Sequence, residues 1–150
     1  MADLHNLYQH AILDHYRKPR NFRGLENPNR QAEGFNPFCG DKVSVSLQIE
    51  NGTIRDIGFW GTGCAISIAS ASMMTESLMG KTEAEAHMLI EHFLQMLTSR
   101  SDIDDTKHLT GNLELFASVR GYPVRIKCAT LAWHAALAAL KELPKTVSTE

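Results

Sequence analysis

One short stretch does most to limit the fold. Val43, Val45, Leu47 and Ile49 alternate with Lys42, Ser44, Ser46 and Gln48. A period of two sends the apolar set to one face of a strand and the polar set to the other. Asn51-Gly52 follows at once. The tightest hairpin turn needs positive φ at both central positions, which Asn and Gly tolerate best, so a return strand is predicted from Thr53 to Trp60. A third strand is expected over Arg30 to Asn36.

The other ordered segments read as helix. Leu4, Leu7, Tyr8, Ala11, Ile12 and Tyr16 recur at three- and four-residue steps, with Asp3 as N-cap and Pro19 as the stop. After Gly61-Thr62-Gly63, Ala65 to Met79 forms a helix that Gly80 ends. Thr82-Glu83-Ala84-Glu85 is a capping box. It opens a helix whose stripe is Ala86, Leu89, Ile90, Phe93, Leu94 and Leu97. A polar loop is expected from Ser99 to Lys107, a short helix from Asn112 to Val119, and a turn at Gly121-Tyr122-Pro123. A final helix runs from Val124 to Leu143, before a loose tail. Strands grouped together and followed by helices predict an α+β domain. One domain is expected over residues 1–150, with its core at about 4–143.

Bulk properties exclude several classes. A net charge of −2 over 150 residues leaves no general footprint for nucleic acid or anionic membrane. No apolar run approaches the roughly 18 residues of a membrane span. Met1-Ala2-Asp3-Leu4-His5 does not open a signal peptide, so a cytoplasmic location is expected. In that compartment three cysteines are free thiols, metal ligands or redox groups, not a disulfide framework. Arg17, Lys18, Arg20, Arg23 and Arg30 form a basic stretch opposed only by Glu26. It reads either as a solvated face or as a docking segment.

Histidine fails as a source of metal ligands. His5, His10 and His15 stand five residues apart, as do His87 and His92. Five residues turn a helix by roughly 140° beyond a full turn, so these rings do not converge. Ser67, Ser70 and Ser72 suit close helix packing, and Met73, Met74 and Met79 suit core filling. The cysteines are better placed. Cys39 sits in a loop before Gly40-Asp41, Cys64 closes a Gly-rich turn before a helix, and Cys128 falls in the first turn or two after Pro123. A helix N-terminus favours thiolate at Cys64 and Cys128. Asp41 would supply a carboxylate to the same ion. Three thiolates and one carboxylate suit tetrahedral zinc, or a cluster with one hard, weak ligand. Dispersed cysteines with no Cys-x-x-Cys pair are equally the pattern of inert core thiols.

Four motifs, in order, resemble one family. They are His15-Tyr16-Arg17-Lys18-Pro19-Arg20-Asn21; Asn36-Pro37-Phe38-Cys39-Gly40-Asp41; Gly61-Thr62-Gly63-Cys64-Ala65-Ile66-Ser67 with Ala69-Ser70-Ala71-Ser72-Met73-Met74; and Arg125-Ile126-Lys127-Cys128-Ala129-Thr130-Leu131 with Trp133. From about Leu4 to Leu140 the chain is similar to the IscU/NifU N-terminal family of iron–sulfur cluster assembly proteins. That resemblance implies a SufE/NifU-like fold: an N-terminal helix, a small three-stranded antiparallel sheet, then packed helices. Within the family it resembles the SufU branch, because Lys127 stands where IscU-type scaffolds carry histidine. The stretch between Cys64 and Cys128 is also longer than in IscU.

The resemblance implies Zn²⁺ on Cys39, Asp41, Cys64 and Cys128, and a SufS-type cysteine desulfurase as sulfur donor. Cys39 would be released by ligand exchange on docking and would accept persulfide sulfur, making the protein a zinc-dependent sulfurtransferase that serves downstream iron–sulfur assembly proteins. Lys127, Arg125 and Arg120 would add positive potential. The alternative it implies is a scaffold holding Fe²⁺ or a transient Fe–S cluster on the same four residues. A third reading is a binding module whose metal only stabilises the fold.

Overall fold

The computed structural model describes residues 4–98, 113–142 and 146–148. Helix α1 (Leu4–Arg17) leads into strands β1 (Arg30–Asn36), β2 (Asp41–Glu50) and β3 (Thr53–Thr62). Helices α2 (Ala65–Leu78) and α3 (Glu83–Thr98) follow. A 3-10 helix (Leu113–Val119), helix α4 (Pro123–Leu140) and strand β4 (Thr146–Ser148) complete the order. This is the expected α+β succession, with β1, β2 and β3 forming an antiparallel meander around a central β2. Asn51 and Gly52 have φ of 53° and 75°, as the hairpin reading requires. Thr82 and Glu85 exchange the two hydrogen bonds of the capping box, at 2.9 and 3.1 Å.

Some boundaries differ from the sequence reading. The stretch read as a loose tail contains β4, which pairs in parallel with β1 from Glu33↔Thr146 to Phe35↔Ser148. The sheet order is therefore β3-β2-β1-β4. A three-residue strand is too short to show a period. It forms because the edge of β1 offers backbone groups that need partners. Helix α4 starts at Pro123 itself, since a proline in the first helical turn forfeits no hydrogen bond. It ends at Leu140 rather than Leu143. Asp3, Asn112 and the polar stretch 99–107 lie outside the described residues.

The inner face of the sheet presents Ala32, Val43, Val45, Leu47, Ile57 and Phe59, all buried. Helix α4 packs across β1 and β2, and α2 lies between α1 and α4. Helix α4 is apolar almost all round, with Ala129, Ala132, Ala135, Ala136 and Ala139 buried. Such a helix belongs inside a core, and its small residues let neighbours come close. Trp133 stacks on Phe93 with centroids 3.9 Å apart, and Phe116 meets both Phe93 and Tyr8 edge-on. The indole N–H donates to Ser70 Oγ at 3.0 Å, and that hydroxyl donates to the Ala129 carbonyl. Ser70 thus joins α2 to α4 by hydrogen bonds as well as by its small size.

One glycine sets the approach of α4 to the sheet. A Cβ on Gly34 would lie 2.9 Å from Leu131 Cδ1 and 3.2 Å from the Leu131 carbonyl oxygen. The close contact therefore depends on the missing side chain. Cys128 is one helical turn before Leu131, and Asn36 is one inward position beyond Gly34. The same contact that packs the core brings these two together. No described helix is long and apolar enough to cross a membrane.

Candidate metal centre

Two chain reversals and one helix meet at one end of the sheet. The tip of the β1–β2 hairpin carries Cys39, and its base is closed by Gly40 N–H donating to the Asn36 carbonyl at 2.8 Å. Asn36 and Asp41 are direct cross-strand partners there, and both are buried. The β3–α2 reversal carries Cys64, the N-cap residue of α2, whose sulfur accepts the Ser67 N–H at 3.4 Å. Helix α4 supplies Cys128 from its second turn.

The side chains converge. Cys39 Sγ and Cys128 Sγ are 3.4 Å apart. The Cys64 thiol lies 3.8 Å from Asp41 Oδ2, and the Cys64 N–H donates to Asp41 Oδ1 at 2.9 Å. The carboxylate fits because residue 63 is glycine: a Cβ there would stand 3.0 Å from Asp41 Oδ1. The ligand atoms of Cys39, Asp41 and Cys128 all lie within 4.8 Å of one another, a group that could hold a metal ion. Cys64, the fourth residue expected from the sequence, touches Asp41 but stands outside that three-residue group.

This donor set fits zinc. Zn–S bonds of about 2.3 Å in a tetrahedron place sulfurs roughly 3.8 Å apart, near the spacing seen between Cys39 and Cys128. The carboxylate of Asp41 is 1% exposed, and it belongs to none of the ion pairs among the described residues. A buried carboxylate facing three thiols calls for a cation.

The three thiols differ. Cys39 is exposed, Cys64 partly buried and Cys128 buried. The Cys64 thiol is drawn down to about 7, chiefly by the hydrogen bond from Cys128, with the Ser67 and Ile66 N–H groups helping against burial and the Asp41 charge. Cys128 moves the other way, raised by donating to Cys64, by burial, and by its contacts with Cys39 and Asp41. The helix-terminus argument therefore suits Cys64 and not Cys128, which stands too deep in α4 for the first-turn effect.

The basic residues divide into two groups. Lys127 Nζ lies 4.1 Å from the centroid of Phe38, placing a cation on the loop that carries Cys39. Arg125 is held over Tyr122, and Arg120 follows the 3-10 helix. In the 17–30 segment, Arg20 pairs with Asp14, Arg23 with Asp56 and Arg30 with Glu83, so much of that charge is engaged within the fold. No histidine joins the cysteine cluster among the described residues. His15 is buried, with Nδ1 2.7 Å from Ser72 Oγ.

Asn36 is a contact that sequence reasoning passed over. Its Oδ1 accepts the Phe38 N–H at 3.1 Å and its Nδ2 donates towards Cys128 Sγ at 3.7 Å. The signal was the inward register Ala32, Gly34, Asn36: an amide on a buried face must find partners.

Comparison with known proteins places the chain among iron–sulfur cluster assembly relatives. The NifU-like N terminal domain family matches residues 7–149. The zinc-dependent sulfurtransferase SufU of Bacillus subtilis is 40% identical over 134 residues, covering 89% of each chain. The iron–sulfur cluster assembly scaffold protein IscU of Streptococcus pyogenes is 37% identical over 141 residues, 94% of this chain and 87% of that one. A crystal structure from Fervidobacterium islandicum, described as a candidate assembly scaffold for the SUF system, superposes with a TM-score of 0.82. It is 34% identical and covers 91% of this chain and 98% of that one.

Proposed function

The chain belongs to the family of NifU-like N-terminal domains, and from that premise we propose that it is a zinc-dependent sulfurtransferase in iron–sulfur cluster assembly. Its sulfur donor is a cysteine desulfurase of the SufS type. Cys39, Asp41, Cys64 and Cys128 would hold the zinc ion, which when bound would keep the thiols deprotonated and tie the two reversals to helix α4. The observation that carries the reading is the exposure of Cys39 beside a buried Cys128, 3.4 Å away. One thiol of the cluster can be reached by a partner while the others are held by the fold.

The transfer is a thiol–disulfide type exchange. The Cys39 thiolate attacks the outer sulfur of the desulfurase persulfide. A new S–S bond forms on Cys39 as the old one breaks, and the electron pair leaves with the desulfurase cysteine as its thiolate. Lys127, against Phe38, sets a positive charge on the loop that carries Cys39. The test is alanine production from cysteine by the desulfurase, with and without the zinc-loaded protein. Strong stimulation that disappears in Cys39→Ala supports the reading; no stimulation removes it.

The scaffold reading draws on the likeness to the Streptococcus IscU, with Asp41 as the hard ligand that lets a cluster leave. Anaerobic reconstitution with iron and sulfide separates the two, since a scaffold must show stable cluster absorption and pass its cluster to an apo-acceptor.

A further inference from the structure

Resting on the reading of the cluster as a metal site with Cys39 as its reactive thiol, we infer that Asn36 is the positioning residue that makes the cysteines unequal. Its side-chain N–H holds Cys128 as the inert member of the set and leaves Cys39 as the nucleophile.

The three sulfurs meet different donors. Cys64 takes a backbone N–H from Ser67 at 3.4 Å. Cys128 takes the Asn36 amide at 3.7 Å. Among the described residues no N–H is directed at the Cys39 sulfur, whose contact is with Cys128. An N–H···S hydrogen bond draws charge from a thiolate and lowers its nucleophilicity, just as partners outside the ligand shell tune a metal site. Cys39 is the sulfur spared that withdrawal, and it is also the exposed one.

The amide cannot turn round. A backbone N–H must meet an acceptor, so the Phe38 N–H fixes Oδ1 on its side and leaves the NH₂ facing Cys128. Asn36 has no exposed surface, so water does not compete for either contact. The contact that orients the amide also shapes the hairpin tip, one residue before Cys39. A single side chain thus sets the geometry of the reactive loop and quietens the sulfur behind it.

The decisive variant is Asn36→Asp, which keeps the shape and the acceptor for the Phe38 N–H but loses the donor. Asn36→Ala removes the donor without adding charge. The zinc-loaded proteins are treated with limiting iodoacetamide, and each cysteine is read by peptide mass spectrometry. Losing a hydrogen bond to a charged sulfur should raise the labelling of Cys128 relative to Cys39 by about tenfold in both variants. The cobalt-loaded forms should show the sulfur-to-cobalt charge-transfer band moved to lower energy, which a loss of packing alone does not produce. An unchanged ratio and an unmoved band in folded, loaded variants overturn the inference.

If the variants do not take up metal, the wild type decides. With ¹¹³Cd in the site, a through-bond coupling from the metal to the Asn36 side-chain protons is expected, and its absence overturns the inference. Stimulation of the desulfurase is measured separately. If it is absent while the labelling ratio shifts, the sulfurtransferase reading falls and the role of Asn36 stands.

Discussion

The sulfurs of Cys39 and Cys128 lie 3.4 Å apart, although 89 residues separate them in the chain. One is carried by a hairpin tip open to solvent and the other by a helix inside the core. The pairing joins an exposed loop to a buried helix, which suits a site where one sulfur reacts and another anchors.

Cys39→Ala should lose persulfide acceptance while keeping the fold, because the residue is exposed and adds little to the core. Intact-protein mass spectrometry after incubation with desulfurase and cysteine should show no added sulfur on the variant. Added sulfur there would move the acceptor role to another thiol.

Gly34→Val should separate β1 from α4, since its Cβ would press on Leu131. Overpacking of this kind costs about 1–3 kcal/mol. Thermal unfolding should start earlier, and metal uptake should weaken with it, because Asn36 and Cys128 lie on either side of that contact. Unaltered affinity for zinc in a destabilised Gly34→Val would break the link between packing and site.

Ser70→Ala should destabilise the core by about 1–3 kcal/mol by leaving a buried donor unpaired. The stranded group is the Trp133 indole N–H, which donates to Ser70 Oγ within a fully buried stack on Phe93. Urea unfolding followed by tryptophan fluorescence measures it. A midpoint equal to that of the wild type would mean that the indole finds another partner.

His15 should make the protein less stable in mild acid. Burial, then the charge of Arg20, lowers its pKa from the ordinary 6.5, against the opposing pull of Glu76 and Asp14. The folded state therefore binds the proton less readily than the unfolded one. Its contribution is complete above the unfolded value and is lost as pH falls through and below it. Melting temperatures of wild type and His15→Gln, compared from pH 7.5 to about 5, should converge as the pH drops. A constant gap would assign the pH dependence to other groups.

Chelation should lower the melting temperature, and zinc should restore it, because an ion bound only by the folded chain adds its binding energy to stability. Scanning calorimetry with and without a chelator checks this. Cys64→Ala and Cys128→Ala should abolish the zinc-dependent difference, and a chelator effect that survives in both would place the ion elsewhere.

Much of the fold is legible in the chain because it is written in local patterns. The alternation from Val43 to Ile49, the Asn51-Gly52 turn, the Thr82–Glu85 box and Gly80 each have one physical solution over a few residues. The same alternation, carried back to Asp41, already puts that carboxylate on the inner face. The candidate residues of the site are legible too, since three cysteines beside glycines and helix starts are a chemical pattern. Their grouping is not.

Tertiary structure alone decided which atoms meet. Cys128 reaches Cys39 only because α4 packs on β1 at Gly34, and Asp41 reaches Cys64 only because Gly63 leaves room. It also set the ranking of the thiols, the pairing of β4, and the engagement of basic residues that in sequence resemble a free patch. The reason is general. Periodicity and turn chemistry act between near neighbours in the chain, whereas burial and contact depend on how whole elements pack, which no short stretch encodes.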